Sequence, residues 1–270
     1  MMAIFHKSIY DSRRTALWLS IGFGLYLLLI MGLYPTIKSQ AAEWKELIES
    51  YPEGVLAMFY GGEVAEFDMT EPGMYVQTEF GGYSVLILGA IVVVQAFNAF
   101  TNAERDHSLD MMLSLPVSRR RYLLGRLLST ATVMALVLTA WLAGFLVSML
   151  IWPEIELSVG NLVLSIVGAF LFLMVVAGYS YLLAVVVPSN RRFAGAIAYL
   201  LLIGTFLIYG LSAIVDALKP IQPFLINHYF NMGEIIRNGA QLGDWAVLTG
   251  AALILFALAW WLVDRKELGV

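Results

Sequence analysis

The stretch LVLSIVGAFLFLMVVAGYSYLLAVVV, from Leu162 to Val187, decides the fold, because it contains no charged side chain. About 20 apolar residues in an α-helix cross the hydrocarbon layer of a bilayer, which is roughly 30 Å thick. The whole chain has the same character, with 60% hydrophobic and only 13% charged residues. A soluble domain carries roughly 25% charged residues. The excess apolar surface therefore indicates a protein embedded in lipid.

Five further stretches are apolar and long enough to cross a bilayer. We therefore predict an all-α polytopic membrane protein that forms a single domain over residues 1–270. The six predicted spans are about 16–34, 83–100, 123–151, 162–187, 194–215 and 245–263, and apart from Arg126 near the start of the third they contain no Asp, Glu, Lys, Arg or His.

The basic residues set the expected orientation, since Lys and Arg are retained on the cytoplasmic side of a membrane. With both termini placed inside, twelve of the sixteen basic residues fall on the cytoplasmic side and four on the outside. The four are Lys38, Lys45, Lys219 and Arg237. The pattern predicts an N-in, C-in topology.

Two external segments carry amphipathic patterns. In the predicted external loop 38–82, Trp44, Leu47, Ile48 and Tyr51 recur at helical spacing. The segment between the last two spans has Met232, Ile235 and Ile236 on one helical stripe, alongside Tyr229. Both segments predict short external helices that lie against the membrane or the spans.

Several kinds of chemistry are excluded by composition and motif. The chain has no cysteine, and its three histidines are not at metal-ligand spacing. It contains no phosphate-binding G-x-x-x-x-G-K-[ST], no H-E-x-x-H and no G-x-S-x-G. The net charge of −4 gives no basic surface for a nucleic acid. We expect no metal site, no cofactor bound by this chain and no catalytic activity of its own.

The most informative motif lies in the predicted cytoplasmic segment 102–122. The sequence from Asn102 to Leu128 reads NAERDHSLDMMLSLPVSRRRYLLGRLL. Leu109, Met112 and Leu113 are spaced as one face of a short amphipathic helix, and Pro116 ends it. Ser118 is placed to cap a second helix that starts in the arginine cluster. A soluble partner could bind such a helix. Alternatively, the helix could lie at the membrane interface, with arginines of the kind that are usual on the cytoplasmic side.

This segment resembles the type-2 ABC transporter permeases, whose members carry G-T-L-x-x-L-L-x-x-P-[VI]-S-R a few residues after a glutamate. His107 and Ser108 stand where that family usually has Gly-Thr, and the tail from Trp261 to Leu268 is similar to the family's closing signature. The positions that match the motif are Glu104, Leu109, Met112, Leu113, Pro116, Val117, Ser118 and Arg119.

The resemblance implies a permease subunit of an ATP-driven exporter in the plasma (inner) membrane of a prokaryote. Its partners would be a second permease copy, identical or related, and a cytoplasmic ABC ATPase that holds the ATP and Mg²⁺. Glu104–Leu115 would be the coupling helix, and Phe5–Thr15 would be the family's interfacial elbow helix. The residues implied for coupling are Glu104, Asp106, Leu109, Met112, Leu113, Pro116, Ser118 and Arg119.

The resemblance also implies a substrate path lined by spans two and five. Gln95 and Asn98 share one face of span two, and Thr205, Tyr209 and Ser212 share one face of span five. These polar groups could instead make hydrogen bonds between helices inside the bundle.

Two other functions stay open at this point. The chain could be a scaffold or signalling subunit that binds an ATPase without moving a substrate. It could also be an intramembrane enzyme, although the predicted spans offer no polar dyad for catalysis.

Overall fold

A computed structural model of the chain describes residues 2–52, 68–105, 118–187 and 190–265. These residues form helices and irregular connections, and six of the helices are long and apolar enough to cross a membrane. The all-α fold with six candidate spans is therefore confirmed. The long helices are α1 (Met2–Ser39), α4 (Gly82–Arg105), α5 (Arg119–Ile151), α6 (Val159–Val186), α7 (Arg191–Ser212) and α9 (Leu242–Leu262).

Shorter helices lie between the long ones. They are α2 (Ala41–Glu49), α3 (Pro72–Val76), two 3₁₀ segments (Asp216–Phe224 and Ile226–Tyr229) and α8 (Met232–Asn238). Helices α2 and α8 coincide with the two amphipathic patterns of the external segments, so the short external helices are confirmed as helices.

Helix α6 is the centre of the bundle, and α4, α5, α7, α8 and α9 all pack against it. It carries small residues where neighbours come close. A Cβ at Gly178 would lie 2.9 Å from Leu255 Cβ of α9, and one at Gly168 would lie 2.9 Å from Ile235 Cδ1 of α8. Since lipid is as apolar as the side chains, close van der Waals packing of this kind holds membrane helices together.

Helix α1 packs along α5 around a cluster of aromatic rings. Trp141 is fully buried, and its ring centroid lies 5.2 Å from that of Phe23 and 4.7 Å from that of Phe80. Phe80 also contacts Phe145 with centroids 5.7 Å apart. These ring contacts join α1 and α5 to the beginning of the second span.

The second span begins earlier than the apolar pattern predicts. Glu71 caps α3 by accepting hydrogen bonds from the N–H groups of Gly73 (3.0 Å) and Met74 (2.7 Å), and Pro72 takes the first helical position. A π-helical turn, Gln77–Gly81, joins α3 to α4 without a break. The candidate span therefore runs from Pro72 to Phe100.

This early start corrects the expectation that no acidic residue lies within a span. Glu79 falls inside the second candidate span, in the π-helical turn. Hydropathy alone leaves Glu79 outside the span, because the continuous apolar residues begin only at Tyr83. The helix itself begins earlier, because Glu71 caps its first turn.

The predicted interfacial elbow helix at Phe5–Thr15 is helical and continues directly into the first span. Helix α1 runs unbroken from Met2 to Ser39. No proline or glycine stands between Phe5 and Trp18 to end a first helix, so the two predicted segments continue as one.

Candidate functional site

One end of the bundle gathers arginine side chains from several helices. Arg126 of α5 donates to Ser8 Oγ of α1 (2.9 Å) and to the Tyr122 hydroxyl (3.1 Å). The Tyr122 hydroxyl in turn donates to the Ala99 carbonyl of α4. This connected set, the Arg126 network, joins α1, α4 and α5 at the same end of the molecule.

The other helices reach the same end. Arg120 Nε of α5 forms an ion pair with Asp264 Oδ2, just beyond α9, at 2.8 Å. The Arg191 guanidinium at the start of α7 lies 5.4 Å from the centroid of the Phe100 ring of α4. Helices α1, α4, α5, α7 and α9 therefore present a terminus here, and only four residues separate the end of α6 at Val186 from Arg191. We call this the basic end.

The predicted coupling segment connects two helices at the basic end. Ser118 caps α5 and accepts a hydrogen bond from the N–H of Arg121 (3.4 Å), which confirms the predicted cap. Arg119 is the first residue of α5, and the backbone of Glu104 belongs to the last turn of α4. Asp106, Leu109, Met112, Leu113 and Pro116 lie outside the described residues.

The opposite end is closed by α8, which docks on α3 and the π-helical turn. The buried Gln77 Oε1 accepts hydrogen bonds from the N–H groups of Met232 (2.9 Å) and Gly233 (3.3 Å) at the start of α8. A Cβ at Gly233 would lie 2.6 Å from the Gly73 carbonyl oxygen, so the two backbones touch. We call α8 and its contacts with α3 the external cap, after the orientation that the basic residues predict from the sequence.

Polar contacts at the edge of the external cap set its position. Arg237 lies between Glu71 (3.6 Å) and Glu234 (3.5 Å), and Asn161 Nδ2 of α6 donates to the Ile236 carbonyl (2.8 Å). The chain then leaves α8 through Gly239, whose φ of +80° favours glycine.

Spans two and five are neighbours, as a shared substrate path requires. Helices α4 and α7 pack together, and the Tyr199 hydroxyl of α7 donates to the Ala90 carbonyl of α4 at 3.2 Å. A Cβ at Gly89 would lie 2.9 Å from Leu202 Cδ1, so the contact is close.

The predicted path residues of α7 differ in what they contact. Thr205 Oγ1 donates to carbonyls of its own helix, that of Leu201 at 2.7 Å and that of Leu202 at 3.2 Å. Ser212 is fully buried, and its hydroxyl accepts from Gln222 Nε2 (2.8 Å), which attaches the first 3₁₀ segment to α7. Tyr209 packs edge-to-face with His228, with ring centroids 6.0 Å apart.

Compared with the path residues of α7, the two predicted path residues of α4 have side-chain groups left to contact a substrate. Asn98 is exposed on the surface of the chain. The Gln95 Nε2 atom is buried and has no hydrogen-bond partner among the described residues. A buried amide without a partner costs about 1–3 kcal/mol, so a further group close to Gln95 would be stabilising.

A small cleft lies where α4, α6, α7 and the second 3₁₀ segment meet. The cleft has room for about one water molecule. Gln77, Tyr209 and Asn227 line it with apolar neighbours, and Asn227 Oδ1 is buried without a hydrogen-bond partner among the described residues. The cleft brings Tyr209 close to the external cap.

Sequence reasoning missed Gln77 and Glu79. Neither belongs to a recognised motif, and both precede the apolar stretch of span two. The available signal was Glu71-Pro72, an acidic residue followed by a proline, which is a common start of a helix.

The sequence matches the family described as ABC-2 family transporter protein over residues 2–268. No curated protein matches it. Members of this family are membrane components of transport systems that work with an ATP-binding subunit. With six candidate spans and a family match over nearly its whole length, this chain belongs to the ABC-2 transporter family and is a multi-pass membrane permease.

Proposed function

We propose that this chain is the permease subunit of an ABC exporter in the plasma membrane of a prokaryote, driven by a separate cytoplasmic ATPase. The observation that carries the proposal is the family match over residues 2–268, in a bundle with six candidate spans. The predicted coupling segment 102–122 connects two helices at that end.

The basic end is the proposed cytoplasmic face. Arg120, Arg126 and Arg191 lie there, whereas the carboxylates Glu71 and Glu234 lie at the external cap. Positive side chains are retained on the cytoplasmic side during insertion. Both termini would then be cytoplasmic.

The proposed mechanism uses the ATPase as the source of movement. ATP and Mg²⁺ would bind to the ATPase subunits, and this chain would contribute no catalytic residue. Closure of the ATPases would push the coupling segments of two permease copies towards each other. The Arg126 network supports movement of α1, α4 and α5 as one rigid unit, because its hydrogen bonds hold these helices together next to that segment. The transport step would be a switch between two packings of the same helices.

The proposed substrate path runs between the two copies along α4 and α7. The exposed Asn98 and the unpartnered Gln95 amide support a polar lining on α4. The hydroxyls of Thr205 and Ser212 are occupied by hydrogen bonds within the chain, so we assign them to packing and keep Tyr209 as the path residue of α7.

Co-purification tests the coupling assignment. The permease would be expressed with a candidate ABC ATPase from the same genome and purified by a tag on the permease. Leu109→Asp with Leu113→Asp, or Glu104→Lys, is expected to abolish ATPase recovery while the permease still inserts. The matched controls are Leu47→Asp and Glu43→Lys on α2, which remove the same side chains at exposed external positions.

Recovery of the ATPase with the double Asp variant would contradict the coupling assignment. Transport in vesicles separates the exporter from the scaffold. An ATPase that binds and hydrolyses ATP while no substrate moves out of the cytoplasmic compartment would contradict the exporter assignment.

A further inference from the structure

The first 3₁₀ segment, Asp216–Phe224, carries apolar side chains at intervals of three residues. A 3₁₀-helix has 3.0 residues per turn, so residues three apart lie above one another along one edge. Its hydrogen bonds have this spacing, as in the bond from the N–H of Leu218 to the Val215 carbonyl at 2.9 Å. The side chains that share the apolar edge are Leu218, Ile221 and Phe224.

A second edge of the same segment is polar and consists of Asp216, Lys219 and Gln222. Lys219 Nζ forms an ion pair with Asp216 Oδ1 at 3.1 Å. Gln222 Nε2 donates to the hydroxyl of Ser212, the last residue of α7, at 2.8 Å. The segment is therefore amphipathic, and its hydrogen bond to α7 comes from the polar edge.

The fold leaves the apolar edge uncovered. None of the nine residues of the segment, all of which the structure describes, is buried. Phe224 is 84% exposed and Ile221 is 42% exposed. Helix α8 differs, because its apolar residues Met232, Ile235 and Ile236 are all buried. The bundle thus covers one of the two amphipathic segments and leaves the apolar edge of the other free to contact something else.

The length of α7 places the segment at a membrane boundary. Helix α7 has 22 residues, which is about 33 Å at 1.5 Å per residue. A hydrocarbon layer about 30 Å thick that begins near Arg191, at the basic end, would therefore end close to Ser212. Since Gln222 bonds to Ser212, the segment lies at the depth where hydrocarbon meets the lipid headgroups.

Exposed apolar residues lead from α7 to the segment. Those on α7 recur three or four residues apart and share one helical face, on the other side of the helix from the buried Leu202. They are Leu200, Ile203, Leu207 and Leu211. Ile214 and Val215, between α7 and the segment, are also exposed. A candidate span with such a face contacts hydrocarbon in a bilayer, and the same kind of surface continues to the apolar edge.

We propose that the apolar edge inserts into the bilayer at the boundary between headgroups and acyl chains, in the leaflet opposite the basic end. An interfacial helix lies in the membrane plane with its apolar side buried about 5–10 Å below the headgroups. Leu218, Ile221 and Phe224 contact acyl chains, and the pair of Asp216 and Lys219 stays in water. This lipid contact goes beyond the proposed function, because no transport step depends on it.

Spin labelling of the full-length chain in vesicles of phosphatidylethanolamine and phosphatidylglycerol tests the contact. The chain has no native cysteine, so each label is unique. Labels at Ile221→Cys and Phe224→Cys are expected to collide more often with oxygen, which concentrates in hydrocarbon, than with a water-soluble nickel chelate. Labels at Asp216→Cys and Lys219→Cys are expected to show the reverse, which gives accessibility a period of three residues. Ile203→Cys on α7 is the reference for a lipid-facing position.

A fluorescence measurement provides a second test with a different readout. Bimane attached at Ile221→Cys is expected to be quenched by lipids brominated on their acyl chains at least about twofold more than bimane at Lys219→Cys. Equal quenching at the two positions would overturn the proposal.

Two other outcomes of the spin-label experiment would also overturn it. Preferential collision of the labels at positions 221 and 224 with the nickel chelate would place the apolar edge in water. Low accessibility to both reagents, with magnetic coupling between labels on different molecules, would assign the edge to a contact with a second copy of the chain instead of lipid.

Discussion

Gln77 shows how a single side chain attaches the external cap to the second span. Its Oε1 atom accepts two backbone N–H groups at the start of α8, where a helix has no internal acceptor for them. Because the side chain is buried, water cannot replace it. The contact is between residues far apart in sequence, so only the folded chain reveals it.

Replacement of Gln77 by Leu is expected to destabilise the protein. Two buried N–H groups would lose their acceptor, at about 1–3 kcal/mol for each. The apparent melting temperature in detergent is therefore expected to fall, whereas the exposed Gln40→Leu should leave it nearly unchanged. Equal melting temperatures for the two variants would show that Gln77 does not hold α8.

A pair of glycine substitutions tests the close contact between α8 and α3. At Gly233, an alanine Cβ would lie 2.6 Å from the Gly73 carbonyl oxygen and 2.7 Å from Gln77 Cβ. Overpacking of this kind costs about 1–3 kcal/mol, so Gly233→Ala is expected to lower the melting temperature. At Gly204 nothing lies within 4 Å, and Gly204→Ala is expected to stabilise α7 by about 0.5–1 kcal/mol. Equal changes in melting temperature for the two variants would contradict the close contact between α8 and α3.

At the scale of helices, the Arg126 network determines how the first helix is held. Helix α1 continues beyond the predicted span to Met2, and its polar beginning contacts the bundle through Ser8. The interaction is charge-assisted, since the guanidinium is always ionised. A helix end that has few apolar contacts depends on such bonds to remain docked.

Limited trypsin digestion in detergent measures this docking. Arg126→Gln is expected to speed cleavage after Lys7, Arg13 and Arg14 by about fivefold, which corresponds to the loss of about 1 kcal/mol. Arg121→Gln is the control, because Arg121 is exposed on the same helix. Unchanged cleavage in Arg126→Gln would mean that apolar contacts alone hold the beginning of α1.

For the whole molecule, the prediction that matters most is its orientation in the membrane. The structure places the basic end and the external cap at opposite ends of the bundle, and the arginines predict that the basic end faces the cytoplasm. The chain has no native cysteine, so single cysteines can be introduced without background labelling.

Cysteine labelling of intact cells tests the orientation. Lys45→Cys and Lys219→Cys are expected to react with a membrane-impermeant maleimide from outside. Arg13→Cys and Arg121→Cys, both at exposed positions, are expected to react only after permeabilisation. The reverse pattern would invert the topology and remove the basis for placing the ATPase at the basic end.

Much of the fold could be predicted from local properties. The apolar stretch at Leu162–Val187 became α6, the amphipathic patterns became α2 and α8, and Ser118 capped α5. Each of these depends on residues that are neighbours in sequence. The start of the second span could not be predicted from hydropathy, because Glu71 and Pro72 set it through capping rather than through apolar character.

The sequence by itself determined that this chain is a six-span membrane protein of the ABC-2 family, because hydrophobic length and a local motif carry that information. Only the tertiary structure decided which polar groups have hydrogen-bond partners. It attached Ser212 to Gln222, left Gln95 Nε2 without a partner among the described residues, and placed Tyr26 beside Glu79. The physical reason is that hydrogen bonds and ion pairs form between residues far apart in the chain, and hydropathy does not encode which helix faces which.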